Sequence, residues 1–276
     1  MRKLLIGVLA LFSSMAMAGE DVVITTGQQG LTYNSVYGVN LASALNEFGN
    51  RSQVVPSKGS LDNLDKVAAG QAQLGFTQAD AFQFWRSKHP NEAQNVDIVG
   101  QLAKECVWVA VKKDGKITKA SDLSNGAKIA VGDPDSGSYA SWQYLQQLVK
   151  EYAKAETYAK GGIRSLAKVA TGEYDAFLWV SAAGKPNKFL DAVNQDSSGL
   201  ELIDMSTWSV NDKLPNGQTV YTKETAQVNN NFFGGKVDVP CTTTLVVANN
   251  NGSDELLEAV STILLKNQTR ILGTAK

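Results

Sequence analysis

A fourteen-residue segment occurs twice in this 276-residue chain in closely related form. KGSLDNLDKVAAGQ, which begins at Lys58, aligns without gaps with KGGIRSLAKVATGE, which begins at Lys160, 102 positions further on. In both copies a Lys-Gly pair precedes a run with apolar residues at helical spacing, and a glycine follows that run. Any two capped amphipathic helices share some of these positions, which is the alternative explanation. We interpret the match as two similar α/β units, because few folds can be built from such a duplication.

Strand-like and helix-like segments alternate around both copies. In the first unit DVVITT, SQVVPS and AQLGFT are predicted strands, with one helix around Val36–Phe48 and another capped by Ser60. In the second unit KIAVG, AETYA and DAFLWV are predicted strands, and helices lie between them. The alternation predicts an α/β fold with parallel strands, and ligands bind such sheets at the carboxyl ends of the strands.

Two further strand-like stretches are predicted to join the units. They are ECVWVAVKK, from Glu105 to Lys113, and CTTTLVVAN, from Cys241 to Asn249. This assigns residues 19–106 plus 245–276 to lobe I and residues 107–244 to lobe II. A chain that crosses twice between lobes forms a two-strand hinge, which suits closure of a cleft on a ligand.

The first residues have the pattern of a secretory signal peptide. MRKLLIGVLALFSSMAMA has a basic start, a short apolar core and an Ala-x-Ala site, which predicts cleavage after Ala18 and export to the periplasm. The net charge of −1 gives no reason to expect binding to nucleic acid or to an anionic membrane. We expect a monomer of ordinary globular composition.

Cys106 and Cys241 are the two cysteines of the chain. They lie at the same end of the two predicted hinge strands, and disulfides persist in an exported protein. We therefore predict a disulfide between them, with two buried free thiols as the alternative.

Catalysis has little support in the sequence. The single histidine, His89, lies in the polar turn SKHPNE, so no zinc site or Ser-His-Asp triad is predicted. A phosphate-binding P-loop and a G-x-S-x-G elbow are absent from the sequence, and we expect no cofactor and no metal. An exported hydrolase that uses Ser136 or Ser138, and an adhesion or antigen module, are the alternatives from other functional classes.

The strongest binding candidate is the stretch VGDPDSGSYASW, from Val131 to Trp142. A predicted strand ends in this loop and Ser136, Gly137 and Ser138 open a helix, whose free N–H groups favour an anion. The alternative is a helix cap formed by Ser136 without any ligand. Ser57, Lys58 and Gly59 are the counterpart in the first unit, where Lys58 is either a partner for an anion or an ordinary solvated lysine.

Five segments, in order, resemble the TAXI-type solute-binding proteins of TRAP transporters. ITTGQQGLTY is similar to that family's glycine-rich loop after the first strand, with Gly27, Gly30, Thr32 and Tyr33 matching. SKGSLDNL, TQAD, VGDPDSGS and DAFLWVSAAGKP are similar to four later motifs. Gln28 and Lys58 stand where the family has glycines, so ligand identity does not carry over from its members.

The resemblance implies a two-lobe type II periplasmic binding protein fold with the ligand in the cleft between the lobes. It implies a receptor that binds a small carboxylate, such as glutamate or the dicarboxylate 2-oxoglutarate, and delivers it to a TRAP membrane subunit. An ABC-importer receptor is the alternative within the same class. The predicted ligand-binding residues are Gln28, Tyr33, Ser57, Lys58, Gly59, Gln78, Ser136, Gly137, Ser138 and Trp179. Of these, Tyr33, Gln78 and Trp179 have core or cap positions as alternatives, and Asp80 and Asp175 are expected to be structural.

Overall fold

The computed structural model describes residues 19–182, 187–205, 210, 217, 219–227 and 235–274. The predicted signal peptide, residues 1–18, lies outside the described residues. Ten strands are described: β1 (Asp21–Thr25), β2 (Arg51–Val55), β3 (Leu74–Gln78), β4 (Val96–Lys112), β5 (Lys128–Ala130), β6 (Glu156–Tyr158), β7 (Ala176–Ala182), β8 (Leu200–Leu202), β9 (Thr222–Gln227) and β10 (Lys236–Asn249).

Eight α-helices are described: α1 (Val39–Glu47), α2 (Ser60–Ala68), α3 (Ala79–Lys88), α4 (Gly137–Leu148), α5 (Gly162–Thr171), α6 (Lys188–Val193), α7 (Asp254–Lys266) and α8 (Gln268–Ile271). A π-helical turn (Tyr33–Gly38) leads into α1, and 3₁₀ turns cover Glu92–Asn95, Ala120–Ser124 and Lys150–Lys154. Among these helices, none combines the length and the apolar composition that a membrane crossing requires.

The two halves of the sheet have the same strand order. In the first half β1 lies between β2 and β3 and is parallel to both, and in the second half β5 lies between β6 and β7 and is parallel to both. The repeated segments form equivalent helices, α2 and α5, each followed by the third strand of its half. The duplication in the sequence therefore corresponds to two similar α/β units.

Two long strands join the halves into one sheet of order β2-β1-β3-β10-β4-β7-β5-β6, with β8 on β4 and β9 on β10. β10 is antiparallel to β3 and to the first part of β4, and β7 is antiparallel to the second part of β4. The sequence predicts only the second half of β4, because Gly100, Gln101 and Lys104 interrupt its alternation upstream. β10 likewise begins five residues before the predicted start at Cys241.

Cys106 and Cys241 are direct partners in the register of β4 and β10, with Cα atoms 3.9 Å apart. The structure joins them in a disulfide, as the sequence predicts. The bond lies in an apolar cluster with Trp108, Trp179 and Val239. It therefore fixes the two long strands to each other at the point where the chain passes between the halves of the sheet.

Candidate functional site

The N-termini of α2 and α4 meet where the two halves of the sheet face each other. A Cβ atom on Gly59 would lie 2.8 Å from the carbonyl oxygen of Asp135 and 2.8 Å from the Cα of Ser136. The backbone N–H of Leu61 donates to the Asp135 carbonyl at 3.1 Å. Gly59 has a φ of +142°, a conformation that favours glycine. The loops that precede α2 and α4, which the sequence predicts as anion-binding sites, thus contact each other.

The side chain of Gln78 lies between these helix ends. Gln78 is the N-cap residue of α3, and its Oε1 accepts a hydrogen bond of 2.7 Å from the hydroxyl of Ser60. A Cβ on Gly137, the first residue of α4, would fall only 1.9 Å from the same oxygen. Three helix N-termini therefore converge on one amide group, and a side chain at position 137 would displace this amide from its present place. The prediction that Ser60 caps α2 is wrong: Gly59 occupies the cap position, and the Ser60 hydroxyl is directed to Gln78.

The hydroxyls of Ser136 and Ser138 both accept hydrogen bonds from backbone N–H groups. Ser136 caps α4 by accepting from the N–H of Tyr139 at 3.2 Å. Ser138 accepts from the N–H of Val180 at 3.0 Å, which ties the first turn of α4 to β7. These bonds orient the helix end, and the described residues bring no histidine to either serine, since His89 stacks on Trp85 near the end of α3. Both serine hydroxyls therefore accept hydrogen bonds that hold the N-terminus of α4 in position.

We call the contact between the loops that precede α2 and α4 the junction. Lys58 lies at its rim. Its Nζ is 3.3 Å from a carboxylate oxygen of Asp135, and its side chain is 72 % exposed. Ser57 accepts from the N–H of Gly59 at 3.1 Å and shapes the turn before α2. Gln28 is exposed in the loop after β1. A role for these three residues in ligand binding stays a prediction.

Trp179 occupies the core. It is 2 % exposed and packs against Trp108, Phe177 and Phe189. Trp108 and Trp179 are register partners in β4 and β7, and they lie in the cluster that holds the disulfide. Because side chains alternate along a strand, this face is opposite to the one that carries Glu105 and Val107. The core alternative given for Trp179 describes its position in the structure.

Tyr33 and Glu105 form the contact at the base of the junction. The Tyr33 hydroxyl donates to a carboxylate oxygen of Glu105 at 2.6 Å and lies 3.4 Å from the hydroxyl of Thr244. Tyr33 is partly exposed, whereas Glu105 is 7 % exposed. Burial raises the pKa of Glu105 to about 7, and the nearby charge of Asp80 adds to this rise. Hydrogen bonds from Tyr33, Thr244 and Gln78 to the charged form oppose it.

Asp80 lies beside this contact and is completely buried. Its carboxylate accepts hydrogen bonds from the hydroxyls of Ser141 on α4 and Tyr221 before β9, and from the N–H of Ala81. Burial raises the pKa of Asp80 above its ordinary value, and the hydrogen bonds from these donors offset only part of this rise. Through Ser141 and Tyr221, the carboxylate of Asp80 links the first half of the fold to the second.

Glu105, Thr244, Ser141 and Tyr221 were not predicted from the sequence. Glu105 gave one signal, since it is a charged residue at the start of an otherwise apolar strand. Thr244, Ser141 and Tyr221 come together through the pairing of β10 with β4 and β9 and through the packing of α3 on α4. Among the described residues no group of three or more histidine, cysteine, aspartate or glutamate side chains could hold a metal ion.

Solved structures with the same fold include several ligand-binding proteins. The substrate-binding protein of an amino acid ABC transporter has a TM-score of 0.54 at 14 % identity, over 92 % of this chain and 96 % of that one. The GluR0 ligand-binding core from Nostoc punctiforme in complex with L-glutamate has a TM-score of 0.52 at 12 % identity, over 91 % and 96 %. XAC2383 from Xanthomonas citri bound to ATP has a TM-score of 0.56 at 9 % identity, over 91 % and 88 %. The chain thus has the α/β fold of type II periplasmic binding proteins.

The model of the NMT1-like family matches residues 24–274, which include every strand from β2 to β10 and all eight α-helices. The match covers both halves of the sheet and the two strands that join them. This chain belongs to the NMT1-like family.

Proposed function

We propose that this protein is a periplasmic solute receptor that binds a small carboxylate between two lobes and delivers it to a membrane transporter. The lobes comprise residues 19–106 plus 245–276 and residues 107–244, and the signal peptide is cleaved after Ala18. The observation that carries the proposal is the meeting of the α2 and α4 N-termini between two units of identical strand order. Helix N-termini attract a carboxylate through their free N–H groups and the helix dipole.

The type of ligand is proposed from the same geometry. The N-termini of α2 and α4 meet beside Gln78, and the hydrogen bonds of Gln78, Ser136 and Ser138 hold the ends of these two helices in position. The likeness of the fold to receptors of amino acids supports an amino acid such as glutamate or a dicarboxylate such as 2-oxoglutarate. Separation of the two loops would open the site, and contact between Gly59 and Ser136 would close it.

A TRAP membrane subunit is the proposed transport partner, on the resemblance of five sequence segments to TAXI-type receptors. An ABC importer is the alternative partner, since one protein of the same fold is the substrate-binding protein of an amino acid ABC transporter. We propose that the receptor is a monomer without cofactor and without catalytic activity.

A calorimetric titration of the mature protein with a panel of amino acids and organic acids tests the proposal. We expect one class of small carboxylate to bind with a 1:1 ratio and to be recovered unchanged by mass spectrometry. A ligand at 100 times its Kd stabilises the folded state by about 2.7 kcal/mol, so thermal shifts can rank the panel first. Failure of every carboxylate to bind, or conversion of the ligand, would contradict the proposal. Whether a TRAP or an ABC membrane protein restores uptake in a reconstituted system identifies the partner.

A further inference from the structure

Two buried carboxyl groups lie together at the base of the candidate site, and neither has a cationic partner among the described residues. Glu105 is 7 % exposed and Asp80 is completely buried. The ion pairs in the described part of the chain all join other carboxylates to lysine or arginine. A buried carboxylate without a nearby cation is costly, because burial removes its hydration.

The neighbours of the two groups are neutral donors. The carboxylate of Glu105 accepts a hydrogen bond from the hydroxyl of Tyr33, and Thr244 and Gln78 lie close to it. The carboxylate of Asp80 accepts hydrogen bonds from the hydroxyls of Ser141 and Tyr221. Such donors stabilise a carboxylate by hydrogen bonding but supply no positive charge.

Glu105 is better placed than Asp80 to meet a ligand. Both oxygens of Asp80 already accept hydrogen bonds, from Ala81 on one side and from Ser141 and Tyr221 on the other. Glu105 keeps some exposure, and its partner Tyr33 is partly exposed in the loop that follows β1. Gln78, which touches the N-termini of α2 and α4, also lies beside Glu105, so the acid and the anion-binding helix ends belong to one site.

We propose that Glu105 determines the class of ligand by receiving the ammonium group of an amino acid whose carboxylate lies at the N-termini of α2 and α4. This inference rests on the proposed function and narrows it, since an acid that lacks an ammonium group would bring a second negative charge toward Glu105. An α-amino acid carries its ammonium and carboxylate groups within a few ångströms of each other. In the site, Glu105 lies on one side of Gln78 as the acceptor for the ammonium group, and the N-termini of α2 and α4 lie on the other side as donors for the carboxylate.

The pH dependence of binding follows from the groups that face Glu105. These are Tyr33 and Tyr37 from the first helical segment and Asp80 from α3, and none of them supplies a positive charge. Because the pKa of Glu105 is raised to about 7, its charge develops as the pH rises through neutrality. Affinity for an amino acid then increases from pH 6 to pH 8, and affinity for the matched acid without the amino group decreases.

The experiment compares pairs of probes that differ only in the amino group, such as L-glutamate with glutarate and L-aspartate with succinate. Wild-type protein is titrated with each pair at pH 6, 7 and 8, beside Glu105→Gln and the control Glu224→Gln. Glu224 lies partly exposed on β9, where it pairs with Lys104, so its change alters the net charge equally at a position outside the site. We expect at least a tenfold loss of amino acid affinity in Glu105→Gln alone, with unchanged or tighter binding of the matched acid.

The outcomes separate this inference from the proposed function. If the acids without an amino group bind as well as the amino acids, and Glu105→Gln changes neither, the inference fails and the receptor function stands. If no member of either series binds the wild-type protein, the inference fails, and the proposed function fails with it only when the full panel of amino acids and organic acids also does not bind. The pH series on wild-type protein decides the question even if Glu105→Gln does not fold, because parallel slopes for both members of a pair would overturn the inference.

Discussion

Gly59 and Gly161 occupy equivalent positions in the two repeated segments, and both pack against the loop that precedes α4. A Cβ on Gly59 would lie 2.8 Å from the backbone of Asp135 and Ser136, and a Cβ on Gly161 would lie 3.2 Å from the Cα of Gly132. The N–H of Gly161 also donates to the side chain of Asp133 at 3.2 Å. One contact crosses between the halves of the fold and the other lies within the second half, so the duplicated turn serves two different purposes.

The first prediction concerns the contact that crosses the junction. Gly59→Ala places a methyl group against backbone atoms and strains a residue with φ of +142°, which should cost about 1–3 kcal/mol. We expect weaker binding of the ligand by at least tenfold and a larger radius of gyration in small-angle scattering of the liganded protein.

Gly49→Ala is the control for this change. Gly49 has a φ of +93° and open space around its Cβ position, so its substitution strains the backbone without touching the junction. Equal loss of affinity in both variants would show that the contact between the loops has no role in binding.

Much of the fold could be predicted because the repeat and the strand periodicity are local properties of the sequence. The elements of both units, the helix that begins near Ser136 and the pairing of Cys106 with Cys241 follow from such patterns. The contact of Gly59 with Ser136 could not be predicted, since it depends on how far the two halves approach each other. Glu105 was missed for the same reason: its environment comes from Tyr33, Gln78 and Thr244, which are distant in sequence.

The second prediction concerns the dependence of stability on pH. Glu105 titrates near 4.5 when unfolded, and its pKa is raised to about 7 in the folded protein. Between these pH values the folded state holds a proton that the unfolded state has lost, so the free energy of unfolding decreases as the pH rises from 4.5 through 7. The change for this group is on the order of 3 kcal/mol, and Asp80, whose pKa is also raised, acts in the same direction.

Urea denaturation of wild-type protein and Glu105→Gln at a series of pH values checks this. In Glu105→Gln the free energy of unfolding should fall much less above pH 5 than it does in the wild type. At pH 8 it should be higher than the wild-type value. Parallel profiles for the two proteins would mean that Glu105 ionises at its ordinary pKa.

The third prediction concerns the charge of Lys58. Its pair with Asp135 is exposed, and exposed pairs contribute about 0–1 kcal/mol, so Lys58→Met should change the free energy of unfolding by less than about 1 kcal/mol. We expect it to weaken binding of L-glutamate several-fold at low salt and to reduce the salt dependence of that binding. Arg51→Met removes the same charge at β2, where Arg51 pairs with Asp21. A matching change in this control would assign the effect to net charge rather than to the position of Lys58.

The fourth prediction concerns Ser138. Its hydroxyl accepts from the N–H of Val180, and a backbone donor left without a partner costs about 1–3 kcal/mol. Ser138→Ala should therefore lower the free energy of unfolding by that amount and weaken binding several-fold, because the first turn of α4 is no longer held to β7. Ser138→Thr keeps the hydroxyl and should restore both quantities. A stable Ser138→Ala protein with normal affinity would contradict this role.

The last prediction concerns the disulfide between Cys106 and Cys241, which are separated by 135 positions in the sequence. Closing so long a loop limits the unfolded chain, and the chain-entropy model gives about 5 kcal/mol as an upper value, with 2–4 kcal/mol typical of measured bonds. We expect the double variant Cys106→Ala/Cys241→Ala to unfold at a lower temperature, with the loss concentrated at the two long strands. Hydrogen exchange should then show faster exchange in β4 and β10 than in β1, which lies three strands from β4 in the sheet. Uniform acceleration across all strands would indicate that the bond acts only on the unfolded state, and an unchanged melting temperature would show that it contributes no stability.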